Sequence, residues 1–555
     1  MGQGASVSEQ ETPPPSGGRL GGGLARRAFL LAPAALAACT AKTEITGAFA
    51  GASAERGHLL RNPPPPQGAR IERRTRVVIA GAGIAGLAAA RALRQRGIED
   101  FVVLDLEDAA GGNSRPGQVQ GVACPLGAHY LPVPGDPARE VQDLLEDLGV
   151  RRRVAGRWTY DERMQCHAPQ ERLFFQGQWQ PGLLPVLGVG ATTLAQYTRF
   201  SQEVERLRES GHFTIPVRNQ RVLHALDGER FSDWLDRHAL TDPQLRWHLD
   251  YCCRDDYGSG TAAVSAWAGL HYFAARHGFH VPGGEDDDGE HEPLLTWPEG
   301  NGWLTRRLTE PLGERVRTAR VVTRIAEQRH GVEVDVFDAV ARRHERWQAA
   351  HCIVALPAFV AARVVVNAPP PLRALAGRTR YAPWIVANLH LRGPMRSAPG
   401  AALAWDNVVY GSPQGLGYVV ATHQSLNPAP GPTVLSWYCA PGEAARAEVL
   451  RQPWTHWRDR VVAELAQVHP DLPGQLTHVE VARYGHAMAI PVPGALAQLP
   501  AAPRGPRMSY AHSDWAGYSI FEEAFTLGHH AGHAAAAATS NSASAAKSMA
   551  NTRPT

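Results

Sequence analysis

Lysine is almost absent from this chain. Among 555 residues only Lys42 and Lys547 occur, so essentially all of the positive charge between them is carried by arginine. The formal net charge of +3 is nearly balanced, and no basic run is interleaved with aromatic residues. This composition argues against nucleic acid as a partner. It also means that a site built between the two lysines works without an ammonium side chain.

Pairs of the type Cys-x-x-Cys are missing as well, which argues against a zinc knuckle and against a dithiol redox motif. Seven cysteines are present. If Cys39 is acylated, the remaining six allow fifteen pairings, and the sequence does not choose among them. Buried free thiols are the simplest expectation, and no metal site is predicted.

No segment near the N-terminus is apolar for long enough to span a bilayer. The run from Ala28 to Ala38 is far too short to cross a hydrocarbon core of about 30 Å. It follows a polar leader and the pair Arg26 and Arg27, which is typical of a cleavable export signal. The pattern Arg-Arg-x-Phe-Leu resembles the twin-arginine signal of bacteria, although an ordinary secretory signal with a chance arginine pair is the alternative.

The end of the same run, Leu-Ala-Ala-Cys, resembles a lipoprotein box whose cysteine, here Cys39, is acylated after cleavage. The sequence therefore predicts an exported bacterial protein, either periplasmic or anchored to a membrane by a lipid. Residues 40–73 contain Pro63 to Pro66 without apolar periodicity, and we interpret them as a flexible tether.

Order is expected to begin at the segment RVVIAGAGIAGLAAARALRQRG, from Arg76 to Gly97. It reads as a β-branched strand, a glycine turn and an apolar helix, and a second strand, FVVLD, follows and ends at Asp105. Within it, Gly81, Gly83 and Gly86 have the Gly-x-Gly-x-x-Gly spacing of a dinucleotide site.

Each glycine of this turn has a physical task. Gly81 permits the tight turn, Gly83 allows the backbone to approach a pyrophosphate, and Gly86 lets the helix pack closely on the strand. The pyrophosphate would rest on the helix N-terminus. Asp105 would accept hydrogen bonds from the ribose hydroxyls.

Six residues after Asp105 comes GGNSR, from Gly111 to Arg115, and this arrangement resembles the flavin-containing amine oxidase superfamily. The resemblance continues in PLGAHYLPVP, GNGWLTRRLTEPLGERVRTARVVTRI, HCIVALPAFV and YAHSDWAGYSIFEEAFTLGHHAGHAAAA. It implies FAD as the cofactor, with PLGAHYLPVP running beside the isoalloxazine ring, where Gly127 would allow a close approach. It also implies that Arg115 faces the phosphates, Val322 the adenine, and Asp514 the ribityl or pyrophosphate region.

Ser519 and Glu522 have the Ser-x-x-Glu spacing of a capping box, which predicts a helix from there to about Ala538. Its N-terminus would point at the N1–C2=O edge of the flavin. Altogether we predict that fourteen residues bind the cofactor: Gly81, Gly83, Ala85, Gly86, Asp105, Gly111, Gly112, Arg115, Gly127, Ala128, Val322, Asp514, Ser519 and Phe521. Since no cysteine immediately precedes HSDWAG, the FAD is expected to be non-covalent.

Cofactor segments at both ends and in the middle predict an interleaved α/β architecture, in which a Rossmann-type FAD-binding domain is interrupted by an α+β substrate domain. The predicted intervals are an export signal (1–39), the tether (40–73), the FAD-binding domain (74–135, 295–360 and 495–538), the substrate domain (136–294, helical, and 361–494) and a disordered tail (539–555).

The resemblance also implies aromatic residues against the flavin, and it places Tyr518, Tyr484 and His486 in the corresponding segments; each could instead be an ordinary core residue. Oxygen-using relatives commonly hold a lysine near flavin N5. Asn388 stands roughly at that position here, so an acceptor other than oxygen, a quinone or a periplasmic carrier, is favoured.

Two charged clusters stay open to more than one interpretation. Arg254, Asp255 and Asp256 could line a substrate cavity, where carboxylates would suit a cationic amine, or could end a solvated helix at Gly258. His529, His530 and His533 are more typical of a half-exposed helix face than of a metal site.

The sequence thus predicts an exported, FAD-dependent oxidoreductase that takes two electrons from an amine or a similar C–H donor by hydride transfer to flavin N5. A carotenoid-type desaturase or isomerase on the same scaffold is the alternative enzyme. A catalytically idle flavin-binding lipoprotein is the alternative outside enzymes.

Overall fold

The computed structural model of the chain describes residues 44–65, 69–217, 224–281, 293–396, 399–427 and 429–551, apart from the side chains of His277 and of residues 541–551. Residues 44–555 form one compact unit. Arg26, Arg27 and Cys39 of the predicted export signal lie outside the described residues.

Fifteen α-helices are described: α1 (Ala54–His58), α2 (Ile84–Gln95), α3 (Arg139–Asp147), α4 (Ala191–Glu209), α5 (His224–Asp227), α6 (Phe231–Arg237), α7 (Pro243–Tyr257), α8 (Ala266–Tyr272), α9 (Gly302–Thr309), α10 (Ala358–Val364), α11 (Pro370–Arg378), α12 (Arg446–Arg451), α13 (Trp454–Leu465), α14 (Leu472–Gln475) and α15 (Phe521–Asn551).

Twenty-one strands are described: β1 (Thr46–Ala50), β2 (Ile71–Ala80), β3 (Phe101–Leu104), β4 (Pro116–Val119), β5 (Val122–Pro125), β6 (Tyr130–Pro132), β7 (Arg151–Val154), β8 (Arg157–Tyr160), β9 (Glu171–Phe175), β10 (Gln178–Pro181), β11 (Leu294–Thr296), β12 (Val316–Arg317), β13 (Arg320–Gln328), β14 (Gly331–Asp338), β15 (Arg343–Val354), β16 (Arg380–Leu391), β17 (Asp406–Val409), β18 (Gly415–Val420), β19 (Thr433–Cys439), β20 (Leu476–Ile490) and β21 (Met508–Tyr510).

The first sheet has the order β12-β3-β2-β15-β14-β13, and β21 also pairs with β15. Strands β12, β3, β2, β15 and β21 run parallel, whereas β13 and β14 form an antiparallel meander with β15. Val77, Val78 and Ile79 are fully buried because helices cover both faces of this sheet. This is the Rossmann-type half of the predicted fold.

Helices α2 and α15 pack closely on one face of this sheet because glycines of α15 face small residues of α2. A Cβ atom on Gly528 would lie 2.0 Å from the carbonyl oxygen of Ala85, and one on Gly532 would lie 2.5 Å from that of Ala89. The Ala- and Gly-rich composition of both helices therefore sets how near their axes can come.

The second sheet has the order β1-β20-β16-β19-β18-β17-β9-β10. Successive side chains along each strand point to opposite faces of this sheet and so enter two different apolar clusters. Ile385 and Ala387 pack toward α12 to α14, whereas Trp384 and Val386 pack toward α4 to α8. The two sheets draw on interleaved chain segments, which confirms the predicted fold class.

The predicted tether is wrong for much of its length. Thr46–Ala50 pairs in parallel with β20 at the edge of the second sheet, and the guanidinium of Arg483 covers Phe49 at 3.9 Å. Strand β2 begins at Ile71 rather than after residue 73. Edge pairing supplies the backbone hydrogen bonds that the local composition did not signal.

Three further boundaries differ from the expectation. The last helix continues to Asn551 instead of ending near Ala538 before a disordered tail. The first part of the substrate region contains strands β7 to β10 as well as helices. Helix α3 packs into the core of the first sheet, and α10 and α11 cover the other face of that sheet.

Six cysteines are described, and all are free: Cys124, Cys166, Cys252, Cys253, Cys352 and Cys439. Within the described ranges no helix is both long and apolar enough to span a bilayer.

Candidate functional site

The glycine turn between β2 and α2 has three glycines in three different environments. Gly81 has a φ of +103°, and a Cβ atom on Gly86 would lie 1.9 Å from the carbonyl oxygen of Gly81. A Cβ atom on Gly83, by contrast, would meet no atom within 4 Å. Gly83 is the N-cap of α2, so the backbone opens onto unfilled space at a helix N-terminus, which suits a pyrophosphate.

The Gly-Gly segment lies beside this turn. Gly111 forms a bridge with Gly83 and donates from its amide to the carbonyl of Ala82 at 2.8 Å. Both Gly111 (φ +123°) and Gly112 (φ +57°) adopt backbone conformations that favour glycine. The two glycine segments together form one backbone cradle.

Arg115 is only 4% exposed and lies 3.6 Å from the carboxylate of Glu107. Its buried Nε has no hydrogen-bond partner among the described residues. A buried polar atom without a partner is costly, so a phosphate oxygen at this place would satisfy it.

Asp105 braces the glycine turn. Its carboxylate accepts from the amides of Ala82 at 2.7 Å and Glu107 at 2.9 Å. Burial raises the pKa of Asp105, and these two amides oppose that shift. Its contact with a ribose stays a prediction.

Asp514 is fully buried and supports the opposite wall of the cradle. Its Oδ2 accepts from the amide of Ala358 at 2.7 Å and from the hydroxyl of Tyr381 at 2.5 Å. Burial acts to raise the pKa of Asp514, but His512 and these two donors outweigh it and hold the pKa below its ordinary value. Its Oδ1 lies 3.2 Å from Nδ1 of His512.

These features fit FAD. The open space at Gly83 would accept a pyrophosphate on the N-terminus of α2, and the orphaned Nε of Arg115 would face a phosphate. The buried carboxylate of Asp514 would accept from a ribityl hydroxyl.

The segment Pro125–Ala128 is held by side chains of the second sheet. Three consecutive carbonyls each accept a hydrogen bond: Pro125 from Asn388 at 2.9 Å, Leu126 from Tyr484 at 2.7 Å, and Gly127 from Tyr438 at 3.1 Å. The strands β16, β20 and β19 supply these donors. The second sheet therefore fixes the segment expected to run beside the isoalloxazine ring.

Two residues predicted to be catalytic thus have a positioning role here. The amide oxygen of Asn388 accepts from Ser436 at 2.6 Å, so both of its polar atoms are engaged within the protein. The hydroxyl of Tyr484 donates to the carbonyl of Leu126. Neither side chain presents a free polar group to a substrate.

Gly127 also meets a constraint from within the protein, while its predicted approach to the cofactor stays a prediction. A Cβ atom there would lie 2.2 Å from the carbonyl oxygen of Asn113. Asn113 and Ala128 are joined by a hydrogen bond of 2.8 Å from the amide of Ala128. The absence of a side chain at position 127 is therefore required by the neighbouring backbone of the protein.

Tyr518 lies in the core of the substrate helices. It is 1% exposed, its hydroxyl donates to Glu523 at 3.0 Å, and its ring packs edge-on against His271 at 5.4 Å. This position does not support the predicted role as an open wall of the substrate cavity.

The capping box predicted at Ser519 does not form. Its hydroxyl accepts from the amide of Ala489 at 3.0 Å, and the carboxylate of Glu522 pairs with Arg276. The carbonyl of Ile520 instead accepts from Ala524 at the start of α15. Tertiary partners have displaced the local cap.

The remaining predicted residues are placed as follows. His486 lies 4.6 Å from the ring of Phe359, and partial burial together with nearby arginines lowers its pKa to about 4. Phe521 packs beside Phe525 in the core under α2. Val322 is buried in β13.

An aromatic chamber, defined here as His129, Tyr130, Trp405 and Tyr438, begins directly after the held segment. His129 stacks on Tyr438 at 4.3 Å and lies 5.4 Å from Trp405, and Tyr130 lies 6.0 Å from Trp405. Burial lowers the pKa of His129 to about 3, so its imidazole is neutral at physiological pH.

Carboxylates border this chamber. The hydroxyl of Tyr130 lies 3.5 Å from Asp255. Burial raises the pKa of Asp406 well above its ordinary value, and the charges of Asp255 and Glu171 raise it further. No described basic side chain opposes that shift. A positively charged ligand beside Asp406 would oppose it.

Of the chamber and its acids, the sequence reasoning had considered only Asp255. The adjacent pair His129-Tyr130, following the recognised segment, was an available signal. Asp406 and Tyr438 come from distant strands, and no local pattern brings them together.

An N-terminal strap, defined here as residues 46–61, ties the second sheet to the cofactor cradle. The amide of Ser53 donates to both carboxylate oxygens of Glu107 at 3.0 Å, and Arg56 pairs with Asp108 at 2.6 Å. At its far end the carbonyl of Leu60 accepts from Arg363 on α10 at 2.9 Å. Strap and cradle therefore share Glu107, the carboxylate beside Arg115.

The two clusters left open are also placed. Asp255 and Arg254 precede Gly258, which ends α7 in a left-handed conformation. Arg254 is 8% exposed and donates to Asp250, so this is not a solvated helix end. On α15, His530 pairs with Glu140 at 2.7 Å and His533 accepts from Arg96 at 2.7 Å. Among the described residues no group of ligating side chains could hold a metal ion.

Comparison with known proteins gives a consistent result. A family model for flavin-containing amine oxidoreductases matches residues 84–534. The flavin-containing amine oxidase B of Homo sapiens is 25% identical over 303 residues, which is 53% of this chain and 53% of that protein. The putative flavin-containing monoamine oxidase AofH of Mycobacterium tuberculosis is 28% identical over 306 residues, which is 53% of this chain and 59% of that protein. The matched region thus spans about half the length of these curated relatives.

A solved structure of putrescine oxidase, a double mutant with redesigned cofactor binding, has a TM-score of 0.64 to this chain. The superposition covers 84% of this chain and 100% of the other at 16% identity, which shows a shared fold.

Proposed function

We propose that this chain, which belongs to the family of flavin-containing amine oxidoreductases, is an FAD-dependent enzyme that oxidises a cationic amine. The observation that carries the substrate class is the acidic border of the aromatic chamber. Asp406 has its pKa raised by burial and by neighbouring acids, without a basic side chain to oppose the shift. An ammonium group in the chamber would relieve that cost.

The chamber residues would bind and orient the donor. Aromatic faces attract cations, and Tyr438 connects the chamber to the held segment, since its ring stacks on His129 and its hydroxyl donates to Gly127. A donor with its cation near Asp406 and Asp255 would then direct its adjacent carbon toward the segment held by Asn388 and Tyr484. The same packed rings exclude water.

When bound, FAD would supply the two-electron acceptor. The chain would hold it with the backbone at Gly83 and Gly112, with the guanidinium of Arg115 and with the carboxylate of Asp514. We propose that the attachment is non-covalent. Acid precipitation should leave the yellow colour in the supernatant, and colour retained in the protein pellet would contradict this.

An amine also suits the chamber better than the apolar substrate of a desaturase or isomerase. Burying an uncharged polyene against Asp406 would leave the raised pKa of that carboxylate without an opposing charge. The acidic border is therefore the observation that separates the two enzyme classes, and flavin reduction by any donor would separate both from an idle scaffold.

The test is anaerobic titration of the holoenzyme with a panel of amines, polyamines and uncharged analogues of matched shape. Bleaching of the flavin absorbance by the amines alone is expected. Asp406→Asn should raise the amine concentration needed for half-maximal reduction, whereas Asp459→Asn, an exposed acid on α13, should not. Equal reduction by uncharged analogues would overturn the proposal.

We propose further that the protein is exported, folded around its cofactor, and anchored by a lipid on Cys39. Support comes from Arg26, Arg27 and the lipoprotein-type box. Replacing both arginines by lysine should leave FAD-loaded protein in the cytoplasm, and Cys39→Ala should release mature protein from membranes. Unchanged fractionation of both variants would contradict the proposal.

A further inference from the structure

Strands β7 and β8 form a small β-hairpin that follows α3 in the chain. Strands β7 and β8 pair only with each other among the described strands, in the register Arg151 with Tyr160 and Val154 with Arg157. Ala155 and Gly156 turn the chain with φ values of +48° and +83°, as in a type I′ turn. Residues 152–159 are exposed on both faces of the hairpin. A two-stranded ribbon with both faces open gains little from burial.

The hairpin nevertheless carries large apolar side chains near its tip. Val154 is 48% exposed and Trp158 is 46% exposed. Alternation along the strands puts them on opposite faces, so neither can shelter the other. Exposed apolar groups that share one protruding element are characteristic of an interaction site.

Three arginines surround these apolar groups. Arg152, Arg153 and Arg157 are exposed, and none of them forms an ion pair with an acid in the described part of the chain. Two acids beside the hairpin are already used, since Glu146 pairs with Arg151 at 2.5 Å and Asp161 pairs with Arg163 at 2.6 Å. The tip is therefore both apolar and positively charged.

We infer that this hairpin, Arg151 to Tyr160, docks the enzyme on an anionic phospholipid surface. The three arginines contact lipid phosphates, and Val154 and Trp158 enter the interfacial layer, where tryptophan is favoured because its ring is apolar and its N–H is polar. The chemistry recognised is a bilayer that carries acidic headgroups, and attachment through Cys39 is not needed for it.

The geometry favours a lipid surface over nucleic acid. A nucleobase binds an aromatic platform by stacking on its face, but the guanidinium of Arg151 covers one face of Trp158 at 3.9 Å and that of Arg153 lies 5.9 Å from the ring centre. The part of the Trp158 side chain that stays exposed suits insertion among headgroups.

The test uses FAD-loaded protein beginning at Glu44, the compact unit that contains every described helix and strand, so that neither an acyl chain nor the signal contributes. Its sedimentation with vesicles of phosphatidylglycerol and phosphatidylcholine is compared with its sedimentation with phosphatidylcholine vesicles. Binding to the anionic vesicles alone is expected, and it should weaken as salt is added.

Two variants separate charge from insertion. Replacing Arg152, Arg153 and Arg157 by glutamine should lower the partition coefficient roughly a hundredfold. Val154→Ser with Trp158→Ser should lower it and should abolish the blue shift of tryptophan fluorescence that insertion produces. The charge control replaces Arg206, Arg237 and Arg396, all exposed and remote in sequence from the hairpin, and the apolar control replaces the exposed Val340 and Leu426 by serine.

Equal binding by hairpin variants and controls, or no binding to anionic vesicles, would overturn the inference. The inference would also be overturned if the protein bound double-stranded DNA more tightly than anionic vesicles and if that binding did not depend on Val154 and Trp158. FAD content and circular dichroism of each variant report folding, and the inference stands or falls independently of the proposed amine oxidation.

Discussion

The hydroxyl of Tyr484 donates to the carbonyl oxygen of Leu126 at 2.7 Å, and this bond joins a strand of the second sheet to the segment Pro125–Ala128. Asn388 and Tyr438 make the equivalent bonds to Pro125 and Gly127. Three donors from three strands therefore hold three successive peptide units.

Tyr484→Phe should weaken this joint while keeping the ring packing. Leaving a buried carbonyl without its donor costs about 1–3 kcal/mol, so we expect a lower unfolding temperature and slower substrate reduction of the flavin. The matched control is Tyr510→Phe, because the hydroxyl of Tyr510 is buried and has no hydrogen-bond partner in the described part of the chain. Its removal should leave stability unchanged or increase it. Equal losses in the two variants would contradict the positioning role.

Two glycines of the turn should respond differently to a side chain. Gly83→Val should fold and lack FAD, since a Cβ atom there meets no protein atom within 4 Å and instead enters the space open to a pyrophosphate. Gly86→Ala should impair folding itself, because its Cβ atom would lie 1.9 Å from a backbone oxygen. Circular dichroism and FAD stoichiometry measure both effects. Stoichiometric FAD in Gly83→Val would show that the cofactor lies elsewhere.

Loosening the strap should release FAD faster. Arg56→Ala removes the ion pair with Asp108 and weakens the contact between the strap and the loop that holds Glu107. We expect the FAD dissociation rate, followed by flavin fluorescence, to rise several-fold, with faster proteolysis between residues 46 and 61. Glu55→Ala, an exposed position on the same helix, is the control. An unchanged dissociation rate alongside faster proteolysis would mean that the strap does not secure the cofactor.

Asp406→Asn should stabilise the protein and weaken amine binding. Burial and the neighbouring acids raise the pKa of Asp406 well above its ordinary value of 3.8, so the folded state binds a proton more readily than the unfolded state. Stability is therefore lost as pH rises from the unfolded pKa through the raised folded pKa. The variant should unfold roughly 1–3 °C higher than the parent near neutral pH and at the same temperature well below pH 3.8. A lower unfolding temperature near neutral pH would show that the carboxylate is compensated.

Reoxidation by oxygen should be slow. A cation near the flavin favours the first one-electron reduction of oxygen by stabilising superoxide, and no lysine occurs between Lys42 and Lys547. Asn388 supplies no charge, and its amide is engaged by Pro125 and Ser436. Stopped-flow mixing of substrate-reduced enzyme with oxygen, and separately with a soluble quinone, should show faster reoxidation by the quinone. Oxygen reacting at least as fast as turnover would identify an oxidase.

The sequence by itself determined the elements whose signals are local. Gly81, Gly83 and Gly86 lie within six residues of chain, and the strand, turn and helix around them follow from β-branched residues, backbone freedom and helical periodicity. Helix α7 likewise begins after Asp242, which caps its first amides, and ends at Gly258, a residue that readily adopts the left-handed conformation.

Tertiary structure alone decided which distant residues meet. The chamber and its acidic border bring together His129, Tyr438, Asp255 and Asp406 from four separate segments, and the strap is ordered because β20 pairs its edge with Thr46–Ala50. Ser519 does not cap α15, because its hydroxyl accepts a hydrogen bond from the amide of Ala489. In each case the partner lies outside the local stretch, from 30 residues away for Ser519 and Ala489 to several hundred for the strap and β20. The energy of such a contact is absent from any short stretch of sequence.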